Sequence, residues 1–142
     1  MKTLTKVIFL MLINITIGFA QEHKQNNTVV VNITNLESNN GNVFIAIYNS
    51  EKNFLNKGFK SFQTKIKNNS CKVVFKDIPN GTYAISMFHD ENENNKMDTN
   101  FIGIPKEGYG CSNNAKGFMG PPKWEDAKFQ INDESIIQHI KL

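Results

Sequence analysis

The sequence contains no arginine, so all 16 of its basic side chains are lysines. The bidentate guanidinium fork best suited to phosphate or carboxylate recognition is therefore missing. Setting aside Lys2 and Lys6 of the N-terminal leader leaves 14 lysines against 13 acids, a net charge of about +1. A nucleic-acid partner has little electrostatic support from that balance. Histidine is scarce too: His23, His89 and His139 include no pair with zinc-ligand spacing. No segment sustains a 3.6-residue apolar period, which argues against amphipathic helices.

Long apolar runs are confined to the start. Lys2 and Lys6 precede Val7–Leu12, and the pattern reaches Gly18 and Ala20 with interruptions at Asn14 and Thr16. That is too short for a membrane span and reads as a secretory signal peptide over residues 1–20, cut after Ala20. Residues 21–142 then form a single domain, long enough for a proper core and exported to the periplasm or the outside. Cys71 and Cys111 are the only cysteines. In such a compartment they can form a disulfide or remain two separate thiols, and sequence alone does not choose.

The rest alternates. Thr28–Leu36 places Val29, Val31 and Ile33 on one face, and Asn42–Tyr48 is nearly continuously apolar. With Asn40-Gly41 between them, they are expected to pair as a hairpin. Phe59–Lys67 reads as a lysine-bearing edge strand. A strand begun by Cys71, Val73 and Phe75, and Thr82–His89 after the Pro79-x-Gly81 turn, follow. Ala127–Ile131 and Ser135–Leu142 complete the set. Tyr83 after that turn suggests a tyrosine corner. The fold class is all-β: a single antiparallel Greek-key sandwich of immunoglobulin-like or transthyretin-like type, with about seven strands and one long loop.

The chemistry concentrates in that loop. Asp90, Asn92, Asn94 and Asp98 put side-chain oxygens at alternating positions, and Lys96 can offer its backbone carbonyl. Calcium takes six to eight such hard oxygens. The series matches the opening of an Asp-rich calcium loop, but Phe101 stands where a closing acid is needed. Glu93, Glu107 and Asp126 are candidates, with Glu107 taken as the sixth ligand. The competing reading is a solvated loop whose Asx side chains cap their own backbone.

Thr99–Asp126 is long enough to be functional or separately packed. Phe101, Ile104, Tyr109, Phe118 and Trp124 are expected chiefly to pack it onto the sandwich, while Tyr109 and Trp124 could alternatively stack on a sugar ring. A hydrolase built on His89 and Ser112 is the least favoured reading, since nothing around Ser112 resembles a nucleophile elbow.

His89–Asp98, Gly103-Ile-Pro-Lys-Glu-Gly-Tyr-Gly110 and Ser112-Asn-Asn114 together resemble an exported bacterial family called domain of unknown function 2141. Gly41-x-Val-x-x-Ala-Ile-Tyr48, Ile78-Pro-x-Gly-x-Tyr-Ala84 and Pro122-x-x-x-x-Ala127 are similar to it as well. The family pattern has glycine where this chain has Glu93 and Asn95, and a typical Phe where it has Cys111. The resemblance implies export and a compact domain, and no settled activity. The expectation is a secreted, non-catalytic module with a calcium-stabilised loop that binds an envelope protein or glycan, with a carbohydrate-binding module as the alternative.

Overall fold

The computed structural model describes residues 27–142, so the signal peptide expected over residues 1–20 lies outside the described residues. Eight strands, one short α-helix and two 3-10 turns (Glu51–Asn53 and Ser112–Asn114) form among them: β1 (Asn27–Thr34), β2 (Asn42–Tyr48), β3 (Lys60–Thr64), β4 (Cys71–Ile78) and β5 (Gly81–Asp90), then β6 (Tyr109–Cys111), α1 (Trp124–Ala127), β7 (Phe129–Ile131) and β8 (Ile136–Lys141). They make two sheets, one ordered β4-β1-β8 and one ordered β3-β2-β5-β6 with β7 also on β5. No helix of the described residues is long and apolar enough to cross a membrane.

Period-two alternation builds the core. Val29, Val31 and Ile33 of β1 face Val43, Ile45 and Ile47 of β2, with Phe75, Tyr83, Ile85, Met87 and Ile140 completing one cluster between the sheets. Each such side chain contributes about 1.5–3 kcal/mol by leaving water. The fold is an all-β sandwich. Tyr83 makes the expected corner, its hydroxyl donating to the Pro79 carbonyl at 3.0 Å.

Strand partners depart from expectation. β1 and β2 do not form a hairpin: β1 lies between β4 and β8, β2 between β3 and β5. The link between them crosses from sheet to sheet instead. Leu36 is buried in the core, and Asn35 turns the chain at φ 64°. Asn69, from the β3–β4 connection, clamps the crossing: its amide donates to the Leu36 carbonyl at 2.7 Å, and the Leu36 N–H donates to the Asn69 carbonyl at 3.1 Å. β8 also runs parallel to β1, from Val29 opposite Ile136 to Thr34 opposite Lys141. The otherwise antiparallel sandwich thus contains one parallel pair.

The disulfide between Cys71 and Cys111 is not formed; both are free. Cys71 packs against the core between the sheets, whereas Cys111 belongs to a second cluster with Tyr48, Ala84, Trp124 and Ala127. Alternation along β2 and β5 puts that second cluster on the outer face of the larger sheet, so the sheet itself separates the two sulfurs. Burial pushes the Cys71 thiol up to about 11 and the Cys111 thiol up to about 12. Neither is a reactive thiolate near neutral pH.

Candidate cation-binding loop

β5 ends at Asp90, which is completely buried. Its carboxylate folds the following residues around itself, accepting the Asn94 N–H at 3.1 Å and the Asn95 N–H at 2.9 Å. Asn92 Oδ1 accepts the Asn94 N–H at 3.1 Å, and Asn94 Oδ1 accepts the Lys96 N–H at 2.8 Å. The Asn92 and Asn94 amides then both donate to Asp98, at 2.7 and 3.0 Å. Asp90, Asn92, Asn94 and Asp98 are therefore tied together by the loop's own hydrogen bonds, with Asn92 and Asn94 exposed and their oxygens capping backbone N–H groups as in the competing reading. Glu93 and Asn95 have φ of 58° and 64°, the left-handed backbone that glycine favours.

Of the three acids that could complete the set, Glu107 is the one that lies against the Asp98 end of the loop. Pairing of β5 with β6 aligns Met87 with Gly110 and Phe88 with Tyr109. The His89 N–H then donates to the Gly108 carbonyl at 2.8 Å. Continuing that antiparallel register brings Glu107 opposite Asp90. Glu107 Oε2 accepts the Asp98 N–H at 2.9 Å, and the Lys106 N–H donates to the Asp98 carbonyl at 2.8 Å. Glu107 Oε1 is buried and has no hydrogen-bond partner. Glu93 instead turns outward to Lys65 at 2.8 Å, an interaction that holds its carboxyl below the usual range. Asp126 is exposed on α1.

No three His, Cys, Asp or Glu side chains among the described residues are placed to hold a metal ion by themselves. An oxygen set drawing also on Asn92, Asn94 and backbone carbonyls, such as that of Lys96, is the kind calcium accepts.

The remaining candidates take structural roles. Trp124 is 8% exposed and meets Phe54 edge-on, with ring centroids 5.7 Å apart. It cannot join the exposed Tyr109 in a sugar-stacking platform. His89 is buried, and its Nε2–H donates to the Asn40 carbonyl at 2.8 Å. Ser112 is buried, accepting the Ile85 N–H at 2.9 Å and donating to the Ala127 carbonyl at 2.5 Å. Ile85 lies four residues before His89 on β5, so Ser112 and His89 are not brought together.

The long loop also departs from expectation. Trp124 packs, but Phe101 and Phe118 are 99% and 91% exposed. Ile102 and Met119, which sequence reasoning passed over, stand in water beside them. Two clefts meet at this end. One, of about 350 Å³, lies on the outer face of the larger sheet beside Phe44, Tyr48 and Phe88. The other, of about 710 Å³, lies between the segments around Ile102 and Met119. Met97, inside the Asp90–Asp98 loop, lines both.

No curated protein and no solved structure matches the chain. The family model described as "Uncharacterized protein conserved in bacteria (DUF2141)" matches residues 31–138, most of the sandwich and the whole oxygen-rich loop. The chain belongs to that family.

Proposed function

We propose that this protein is an exported, non-catalytic sandwich module whose Asp90–Asp98 loop binds calcium and holds the adjoining loops for contact with a component of the cell envelope, a protein or a glycan. One observation carries the calcium reading: Glu107 Oε1 is buried without a partner beside a loop whose Asn92 and Asn94 amides are gathered on Asp98. An unpaired buried carboxylate oxygen costs free energy that a bound cation recovers. Asp90, Asp98 and Glu107 would supply charge, Asn92, Asn94 and the Lys96 carbonyl neutral oxygens. Met97 links the ion to both clefts, so a stiffened loop fixes their walls.

Export rests on the basic, then apolar, then small-residue leader ending at Ala20. The non-catalytic reading rests on Ser112 Oγ and His89 Nε2, both occupied by backbone. Thermal melts of protein stripped with EDTA and titrated with calcium test the site. With a Kd on the order of 10⁻⁴ to 10⁻³ M, a tenfold excess over Kd adds ~1.4 kcal/mol and raises Tm by several degrees. A flat Tm across millimolar calcium removes the site.

A further inference from the structure

We infer that the end of the sandwich carrying Phe101 and Phe118 docks onto an anionic lipid surface. This goes beyond the reading above, whose envelope partner is a protein or a glycan, by adding a lipid surface as a third class of partner. Phe101, Phe118 and Met119 are 99%, 91% and 95% exposed, with Ile102 and Ile104 also largely in water. Large apolar side chains gathered at one end of a domain mark an interaction surface. These sit at loop apices and not on a flat sheet face, with Gly103 at φ 82° and Met119 at φ 54° making the turns. A projecting tip suits entry into the headgroup region better than contact with a matching flat partner.

Two further features favour lipid. First, the 100–104 tip satisfies its own backbone. Asn100 Oδ1 accepts the N–H groups of Ile102 and Ile104 at 3.0 and 2.9 Å. The Asn100 N–H reaches the Ile104 carbonyl at 2.8 Å, and the Gly103 N–H reaches the Asn100 carbonyl at 3.0 Å. A tip so closed leaves water without stranding these donors. Second, the surround is basic. Lys96, Lys106, Lys116 and Lys123 are all exposed, and none joins an ion pair among the described residues. Asp98 and Glu107 are the only carboxylates in residues 96–123, with Glu125 and Asp126 just beyond, and Glu107 accepts the Asp98 backbone N–H inside the loop. Apolar apices ringed by unpaired lysines complement a negatively charged bilayer.

Co-sedimentation with vesicles tests the inference. The protein is expected to pellet with vesicles of phosphatidylglycerol and phosphatidylcholine in equal parts, and far less with phosphatidylcholine alone. A Phe101→Ser/Phe118→Ser double variant should lose about tenfold or more of the affinity while melting like the wild type, since both rings are solvent-exposed. Lys116→Gln should lose about fivefold on the anionic vesicles only. Failure to pellet with anionic vesicles at low salt overturns the inference, as does undiminished binding by the double variant. A dimer that the double variant dissociates, without vesicle binding, makes a second copy the occupant and also overturns it. Binding that persists in EDTA alongside a flat calcium titration upholds docking and sinks the ion site alone.

Discussion

Glu107 holds the far end of the Asp90–Asp98 loop by accepting the Asp98 N–H at 2.9 Å with one oxygen, while its other oxygen is buried and unpaired. The two residues are nine positions apart and meet because β6 returns alongside β5. Replacing the unpaired oxygen isolates its role. In Glu107→Gln the amide oxygen can keep the bond to Asp98, so metal-free stability should stay within about 1 kcal/mol of wild type. The calcium-dependent rise in Tm should vanish. Paired melts in EDTA and in calcium read both quantities, and a retained rise places the ion elsewhere.

Placing glycine in the loop should stabilise it. Asn95 sits at φ 64°, and its side chain makes no hydrogen bond among the described residues. Asn95→Gly is expected to gain about 0.5 kcal/mol by relieving left-handed strain. Glu93→Gly moves the same way, because the Lys65 pair it removes is exposed and worth little. Urea midpoints of the two variants check this; a fall in both would mean the backbone there is unstrained.

Ser112 joins β5 to the end of α1. Ser112→Ala leaves the Ile85 N–H and the Ala127 carbonyl without the partner each now has. The expected loss is about 2–3 kcal/mol, read as a lower urea midpoint. A neutral result would show that water replaces the hydroxyl.

The two thiols, Cys71 half-buried and Cys111 buried, give a signed pH dependence. Their folded pKa values are raised, to about 11 for Cys71 and about 12 for Cys111. The stability they contribute is therefore complete below the unfolded thiol pKa of about 8.5 and is lost as pH rises through the folded values. Urea midpoints taken upward from about pH 8 should fall, and Cys111→Ala should flatten the decline. An unchanged slope in that variant would assign the alkaline loss to other groups.

Local pattern revealed the strands, since alternation such as Val29-x-Val31-x-Ile33 is a property of the strand itself. Partner choice is not local. Asn40-Gly41 signals a turn, yet Leu36 sinking between the sheets and Asn69 clamping it send β2 into the other sheet. β6 was hidden because Tyr109-Gly-Cys111 is only three residues long with glycine at its centre. At the loop, the oxygen spacing of Asp90, Asn92, Asn94 and Asp98 was legible. The choice of Glu107 over Glu93 and Asp126 was not, because it depends on the β5–β6 register. Exposure of Phe101 and Phe118 was likewise unreadable, since hydrophobicity says what burial would gain and not whether the chain can reach the core.

The parallel pairing of β1 with β8 bears on when this protein can acquire its shape. Val29 finds Ile136 across more than a hundred intervening residues, a separation that makes closure of the smaller sheet slow. Until Ile136–Lys141 arrive, β1 has one flank uncovered and the sheet cannot lock.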